Sequence, residues 1–233
     1  MKRILSFLLA LTMIISALAV LSSCGNNKNP EEPTYRATVS EQEWIANMKQ
    51  TNYTLDGKYL GTDNYLTEHR VEHFYGKIDI AINSKGYKFY QEITSGGSAE
   101  IYSFLQIIKD GKYYNVYKNA YNGQFEALEL CEDEISDWHT VSDVVYALNV
   151  DIRLADVYNN FTFNPEEKCY TYSFTSPNNI TIKAFFADGV ITAIKLETDW
   201  EDEGYYGTIV YDLVYTNVGS TVVDVPNYNV VEN

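Results

Sequence analysis

The chain is poor in the residues that most catalytic and metal chemistry needs. Three cysteines and three histidines in 233 residues leave no ligand set with Cys/His zinc spacing and no dense disulfide framework. The Gly-x-Ser-x-Gly elbow, the His-Glu-x-x-His helix and the glycine-rich phosphate loop are all missing. Their absence removes the common acyl-transfer, metalloprotease and nucleotide signatures. Only the carboxylate pair of a glycoside hydrolase leaves no trace in sequence spacing. Basic residues are also scarce, with 17 Lys+Arg against 32 Asp+Glu and a net charge of −15. A field of that sign repels phosphate backbones, so nucleic acid is excluded as a partner.

What is present begins at residue 1. Met1-Lys2-Arg3 is basic and Ile4 to Val20 is apolar, the order of an export signal. A spanning helix needs about 20 apolar residues. The run to Leu21 is shorter and is broken by Ser6, Thr12 and Ser16. It closes on Leu21-Ser22-Ser23-Cys24, which resembles the lipobox of bacterial lipoproteins. That resemblance implies cleavage after residue 23, acylation of Cys24 with chains such as palmitate, and a location on the cell membrane facing outside the cytoplasm. Several acyl chains at one cysteine bury methylenes at about 0.8 kcal/mol each, a durable anchor. Gly25 to Pro33 offers nothing apolar to bury and reads as a flexible tether. Loss of Lys2 and Arg3 leaves 15 basic residues against 32 acidic, a net −17.

The expected organisation is a signal peptide over 1–23, a lipidated cysteine and tether over 24–39, one β-rich domain over 40–226, and a tail over 227–233. Ser40 and Glu43 fit a capping box ahead of the stripe Trp44, Ile45 and Met48. From Tyr53 the period drops to two. Strands are predicted at Tyr53 to Leu60 and Tyr65 to Phe74 around a Gly61-Thr62-Asp63-Asn64 turn. Others follow at Lys77 to Asn83, Tyr87 to Ile93, Glu100 to Lys109, Lys112 to Tyr121 and Phe125 to Leu130, joined by Ser84-Lys85-Gly86, Asp110-Gly111 and Asn122-Gly123. Ser142 is the expected cap of a helix carrying Val145, Leu148, Ile152, Ala155 and Val157. Strands resume at Lys168 to Thr175, Ile180 to Phe186, Val190 to Leu196, Tyr205 to Asn217 and Thr221 to Val225. Short connections predict antiparallel neighbours. The fold class is mainly β with some α: a strongly bent antiparallel sheet or open half-barrel, with an N-terminal helix and one helical insertion.

This order of elements, over most of residues 40–226, is similar to the half-barrel of the LolA/LolB carriers and LppX-type lipoproteins. The resemblance implies a bent sheet wrapping helices around an apolar cavity for acyl chains. It rests on element order, so it assigns no functional residue. Ile182, Phe186, Ile194, Leu196 and Leu213 alternate with Lys183 and Lys195, which predicts one apolar sheet face. These five are the expected lining for a lipid or other apolar ligand.

The remaining candidates are weaker in chemistry. His69 and His73 fall on a predicted strand, which separates their Cα atoms by about 13 Å and rules out a shared ion. Glu132-Asp133-Glu134 with Asp137, and Asp199 with Glu201-Asp202-Glu203, flank Trp138 and Trp200 but do not match a calcium loop. An exported context and an even count are compatible with a Cys131–Cys169 bridge, but the two read as separate buried thiols. No metal or cofactor is expected. The function expected is a lipid-anchored extracytoplasmic protein, monomeric and not an enzyme, binding a lipid, another apolar ligand or an envelope protein. The alternative is a surface module for glycan or peptide, built on exposed tyrosine and tryptophan from a pool of 21 Tyr and 3 Trp.

Overall fold

A computed structural model describes residues 39–231 apart from 132–133, 136–138, 149, 151, 176–177 and 203. Helix α1 (Glu41–Met48) leads into β1 (Tyr53–Tyr65), β2 (Arg70–Asn83), β3 (Gly86–Ser95), β4 (Ser98–Lys109), β5 (Lys112–Lys118) and β6 (Phe125–Glu129). Helix α2 (Val141–Ala147) and two 3-10 turns at Leu154–Asp156 and Tyr158–Asn160 interrupt the strands. Then come β7 (Thr162–Asn164), β8 (Cys169–Thr175), β9 (Asn179–Ala187), β10 (Val190–Asp202), β11 (Tyr205–Thr216) and β12 (Tyr228–Val231).

The strands form one 12-stranded sheet in the order β12-β6-β5-β4-β3-β2-β1-β11-β10-β9-β8-β7. It does not close: β12 and β7 are its edges. Within β1 to β6 and within β7 to β11 successive strands pair antiparallel through short connections, and β1 joins the two meanders by pairing with β11. β12 is the exception, lying parallel to β6. No helix among the described residues is long and apolar enough to cross a membrane.

Alternation decides what each face does. The inner face carries Leu55, Ile78, Ile80, Ile182, Ile194, Leu196 and Leu213, all at most 1% exposed. Helix α1 covers it with Trp44 and Met48, and α2 with Val141, Val144 and Val145. Trp44 is the centre of an aromatic knot, 4.6 Å from Phe161, 5.5 Å from Phe186 and 5.7 Å from Tyr170. Its indole N–H donates to the Leu154 carbonyl at 2.7 Å, so the buried ring leaves no polar atom unmet. The capping box of α1 forms as expected, with Ser40 Oγ accepting from the Glu43 N–H and Glu43 Oε2 from the Ser40 N–H. A second, smaller core of Ile107, Tyr114, Val116 and Ala127 lies on the outer face near β12, which adds Tyr228 to it.

Several local expectations need correction. There is no turn at Gly61 to Asn64: β1 runs on to Tyr65, and the turn falls at Leu66 to His69. Pairing with β2 on one side and β11 on the other, residue by residue to Tyr65, overrides the turn chemistry of Gly, Asp and Asn. His69 therefore sits in that turn with φ +48°, and only His73 is on a strand. Helix α2 is capped by Thr140, whose Oγ1 accepts from the Asp143 N–H at 3.0 Å. Ser142 is buried inside the helix, where its hydroxyl accepts from the Ala155 N–H. The helix ends at Ala147, and Ala155 and Asp156 belong to a 3-10 turn. Thr221 to Val225 is extended without ladder partners. Side chains tether its start instead, Asn52 Oδ1 accepting from the Thr221 N–H and Asn83 Nδ2 donating to the Thr221 carbonyl. The last strand, β12, lies in the stretch expected to be tail.

Candidate functional site

The five residues expected to line a cavity are core residues. Ile182, Ile194, Leu196 and Leu213 are fully buried and Phe186 is 8% exposed, its ring packed on Trp44 and Tyr170. None of them lines any of the three hollows described below. Helices α1 and α2 pack on the face that the half-barrel resemblance reserves for a ligand, through Trp44, Met48, Val141, Val144 and Val145. Cys24 lies outside the described residues, as do Trp138, Asp137, Glu132 and Asp133. Both cysteines are free thiols, but only Cys169 is buried as expected, and Cys131 is exposed. Among the described residues no group of three or more His, Cys, Asp or Glu can hold a metal ion.

The long strands reach past the helices, and there the inner face changes character. Three glycines make room for three rings. Tyr59 pairs across the strands with Gly76, Phe74 with Gly61, and Trp200 with Gly207. A Cβ at Gly61 would stand 2.1 Å from the Phe74 ring, and one at Gly207 would stand 2.4 Å from the Trp200 indole. The rings lie against bare backbone, the arrangement in which an aromatic neighbour shields a strand glycine. Phe74 is 6.1 Å from Trp200, and Tyr59 is 5.6 Å from a further ring, Tyr211. Tyr59 also donates to the Glu92 carbonyl at 2.8 Å.

Beside the half-buried Trp200, desolvation and the nearby Glu72 charge push the Asp63 carboxyl up, and the indole holds it down in part. Farther out, Tyr65 stacks on Tyr205 at 6.0 Å, and the Arg70 guanidinium covers the Tyr65 ring at 4.3 Å while pairing with Glu68 and Glu72.

A hollow of about 670 Å³ opens at this end of β9, β10 and β11. Its wall contains Trp200, Tyr206, Asn178, Asn179, Asp199 and Glu201. Asp199 is positioned by Asn179, which donates its backbone N–H at 2.7 Å and its amide Nδ2 at 2.8 Å. By alternation Asn179, Asp199, Glu201 and Tyr206 point to the outer face, opposite the Trp200 indole. It is therefore the exposed Tyr206 ring, among amides and carboxylates, that can stack on the C–H face of a ring while they hydrogen-bond its substituents. Other hollows include one of about 190 Å³ beside Tyr87, Gln106, Tyr113 and His139 and one of about 450 Å³ where β5 leaves β4.

Sequence reading singled out Trp200, Asp199 and Glu201 but missed Asp63, Phe74 and Asn179. The signal for Phe74 was available: glycines inside strongly alternating strands mark places where a neighbouring ring covers backbone.

No protein-family model matches the chain, and no curated protein matches it. Among solved structures, it is similar to the S-type phycobiliprotein lyase CPES from Guillardia theta, with TM-score 0.30 and 11% identity over 80% of this chain and 98% of that one. The isotype 1 transferrin binding protein B from serogroup B Neisseria meningitidis matches with TM-score 0.29 and 10% identity over 76% of this chain and 27% of that one. The LolA superfamily protein NE2245 from Nitrosomonas europaea matches with TM-score 0.22 and 6% identity over 79% of this chain and 92% of that one. At such scores no function passes from these proteins to this chain.

Proposed function

We propose that the protein is a lipid-anchored extracytoplasmic binding module, not an enzyme, and that the Tyr206 hollow recognises a glycan. The observation that carries the reading is the hollow of about 670 Å³ at the end of β9, β10 and β11, where the exposed Tyr206 ring shares the outer face with Asn179, Asp199 and Glu201. A sugar ring offers an apolar face to stack and equatorial hydroxyls to bond, and this wall supplies both kinds of contact. Acylation at Cys24 would hold the module at the membrane surface, with the segment after it as the tether.

A lipid within the half-barrel would need space that Trp44, Phe186 and the two helices already occupy. The test is binding of the mature chain to a panel of soluble polysaccharides. Tyr206→Ala, at a ring 47% exposed, should cut affinity about tenfold or more and leave the thermal midpoint within a few degrees. Binding that survives this change refutes the glycan reading, and a lipid co-purifying in native mass spectrometry would return the carrier reading. Anchoring is tested separately: fatty-acid labelling must vanish in Cys24→Ala.

A further inference from the structure

The edge of β4 is open from Ser98 to Phe104. β5 pairs with β4 only over Leu105 to Lys109, and no other described strand takes its place beyond that. The β3–β4 turn is made by Gly96 and Gly97 with φ +56° and +83°, so Ser95 and Ser98 are the mutually bonded closing pair. Alternation then aims the backbone groups of Glu100, Tyr102 and Phe104 at β3. Those of Ala99, Ile101 and Ser103 face the free edge. Edges of this kind are ordinarily blunted by lysine, proline or a bulge. Ser98-Ala99-Glu100-Ile101-Tyr102-Ser103-Phe104 has no lysine and no proline, and its register with β3 is unbroken. Ile101 and Tyr102 are 60% and 52% exposed.

Where β5 departs, the 450 Å³ hollow forms a notch whose wall includes Lys88, Lys118, Phe104 and Asn115. Asn115 Oδ1 is buried with no hydrogen-bond partner among the described residues. Lys88 and Lys118 make no ion pair among the described residues, in a chain with a net charge of −15. Toward the hairpin tip the sign reverses, because Glu92 stands opposite Ile101 and Glu100 opposite Ile93.

We propose that this edge accepts an extended segment of another protein as an added strand, with the acidic end of that segment in the notch between Lys88 and Lys118. Main-chain bonds to Ala99, Ile101 and Ser103 would hold it, apolar side chains would meet Ile101 and Tyr102, and the charge gradient would set its direction. This surface is distinct from the Tyr206 hollow, and its occupancy does not depend on the glycan reading.

The probe is a fluorescein-labelled peptide of alternating valine and threonine with two aspartates at one end, titrated against the full chain in detergent. Two controls accompany it, one with lysines in place of the aspartates and one with alternate amides N-methylated. The aspartate peptide should bind about tenfold tighter than the lysine peptide, and the N-methylated one should not bind. Lys88→Glu with Lys118→Glu should reverse the preference. Ile101→Pro should abolish binding, and circular dichroism should be unchanged because the lost N–H faces away from β3. Binding of the N-methylated peptide, or an unchanged preference in the double lysine variant, would overturn the proposal. So would a dimer in sedimentation that Ile101→Pro dissolves, since a second copy would then own the edge.

Discussion

Truncating Phe186 to alanine separates a filled concavity from an empty one. Phe186 is 8% exposed on β9, with its ring centroid 5.5 Å from Trp44 and 5.9 Å from Tyr170. Around it Trp44, Ile191 and Ala184 are fully buried, so the neighbours have no solvent-side freedom to collapse into the space. Deletion of a phenyl ring from such a site costs about 3–5 kcal/mol, the lost transfer energy plus the void left behind. In a domain of this size each kcal/mol lowers the midpoint by about 2–4 °C, so the expected drop is about 6–20 °C. Urea unfolding followed by tryptophan fluorescence reads the change directly, since Trp44 sits against the deleted ring. A loss below about 1 kcal/mol would refute the packed-core argument. So would recovery of stability on adding a fatty acid or phospholipid, because only a ligand-shaped space binds and stabilises in that way.

Gly76→Ala should cost about 1–3 kcal/mol by forcing β2 from β3, because the added Cβ would stand 1.9 Å from the Glu92 carbonyl oxygen. Gly57→Ala should cost less, its nearest neighbour being the tip of Leu213 at 3.0 Å; equal losses in urea unfolding would contradict the geometry. Burial pushes Tyr59 and Tyr211 up to about 12 and raises Tyr53 and Tyr215 further. The unfolded chain loses these protons near pH 10 and the native state keeps them. Stability should therefore be level below pH 10 and fall between 10 and 12, with part of the tyrosine absorbance titrating only as the circular dichroism is lost. Ionisation of every tyrosine near pH 10 in the intact fold would refute this. Cys131 should react with a thiol reagent in the native protein and Cys169 only after unfolding, and reductant should leave the midpoint unchanged. A bridge would announce itself as a loss of about 2–5 kcal/mol on reduction.

The bent sheet with few helices was legible because alternation persists through most strands and the turns Asp110-Gly111 and Asn122-Gly123 punctuate it. The capping box at Ser40 and the stripe of Trp44 and Met48 were legible for the same local reason. What escaped depends on long-range pairing. Gly61 to Asn64 looks like a turn in isolation and is strand only because β11, far along the chain, lies against it. The five apolar residues were correctly placed on one face. Whether that face meets solvent, ligand or protein depends on Trp44 and Val144, which sit on different elements. Asp63 and Phe74 come beside Trp200 only through the same β1–β11 seam, so that cluster could not be assembled before the seam was known.

That seam also sets the order in which the chain can fold. β1 to β6 and β7 to β11 are each a meander of local hairpins, whereas the pairing of Thr54 with Thr216 closes nearly the whole domain at once. Hairpins form within microseconds, but a long-range strand pair waits on the entropy of loop closure. A chain emerging N-terminus first exposes the free edge of β1, with Leu55 and Tyr59 beside it, until β11 arrives. The interval before that closure is when the protein is most open to wrong partners. Slowing synthesis or export after Asn164 should lengthen it.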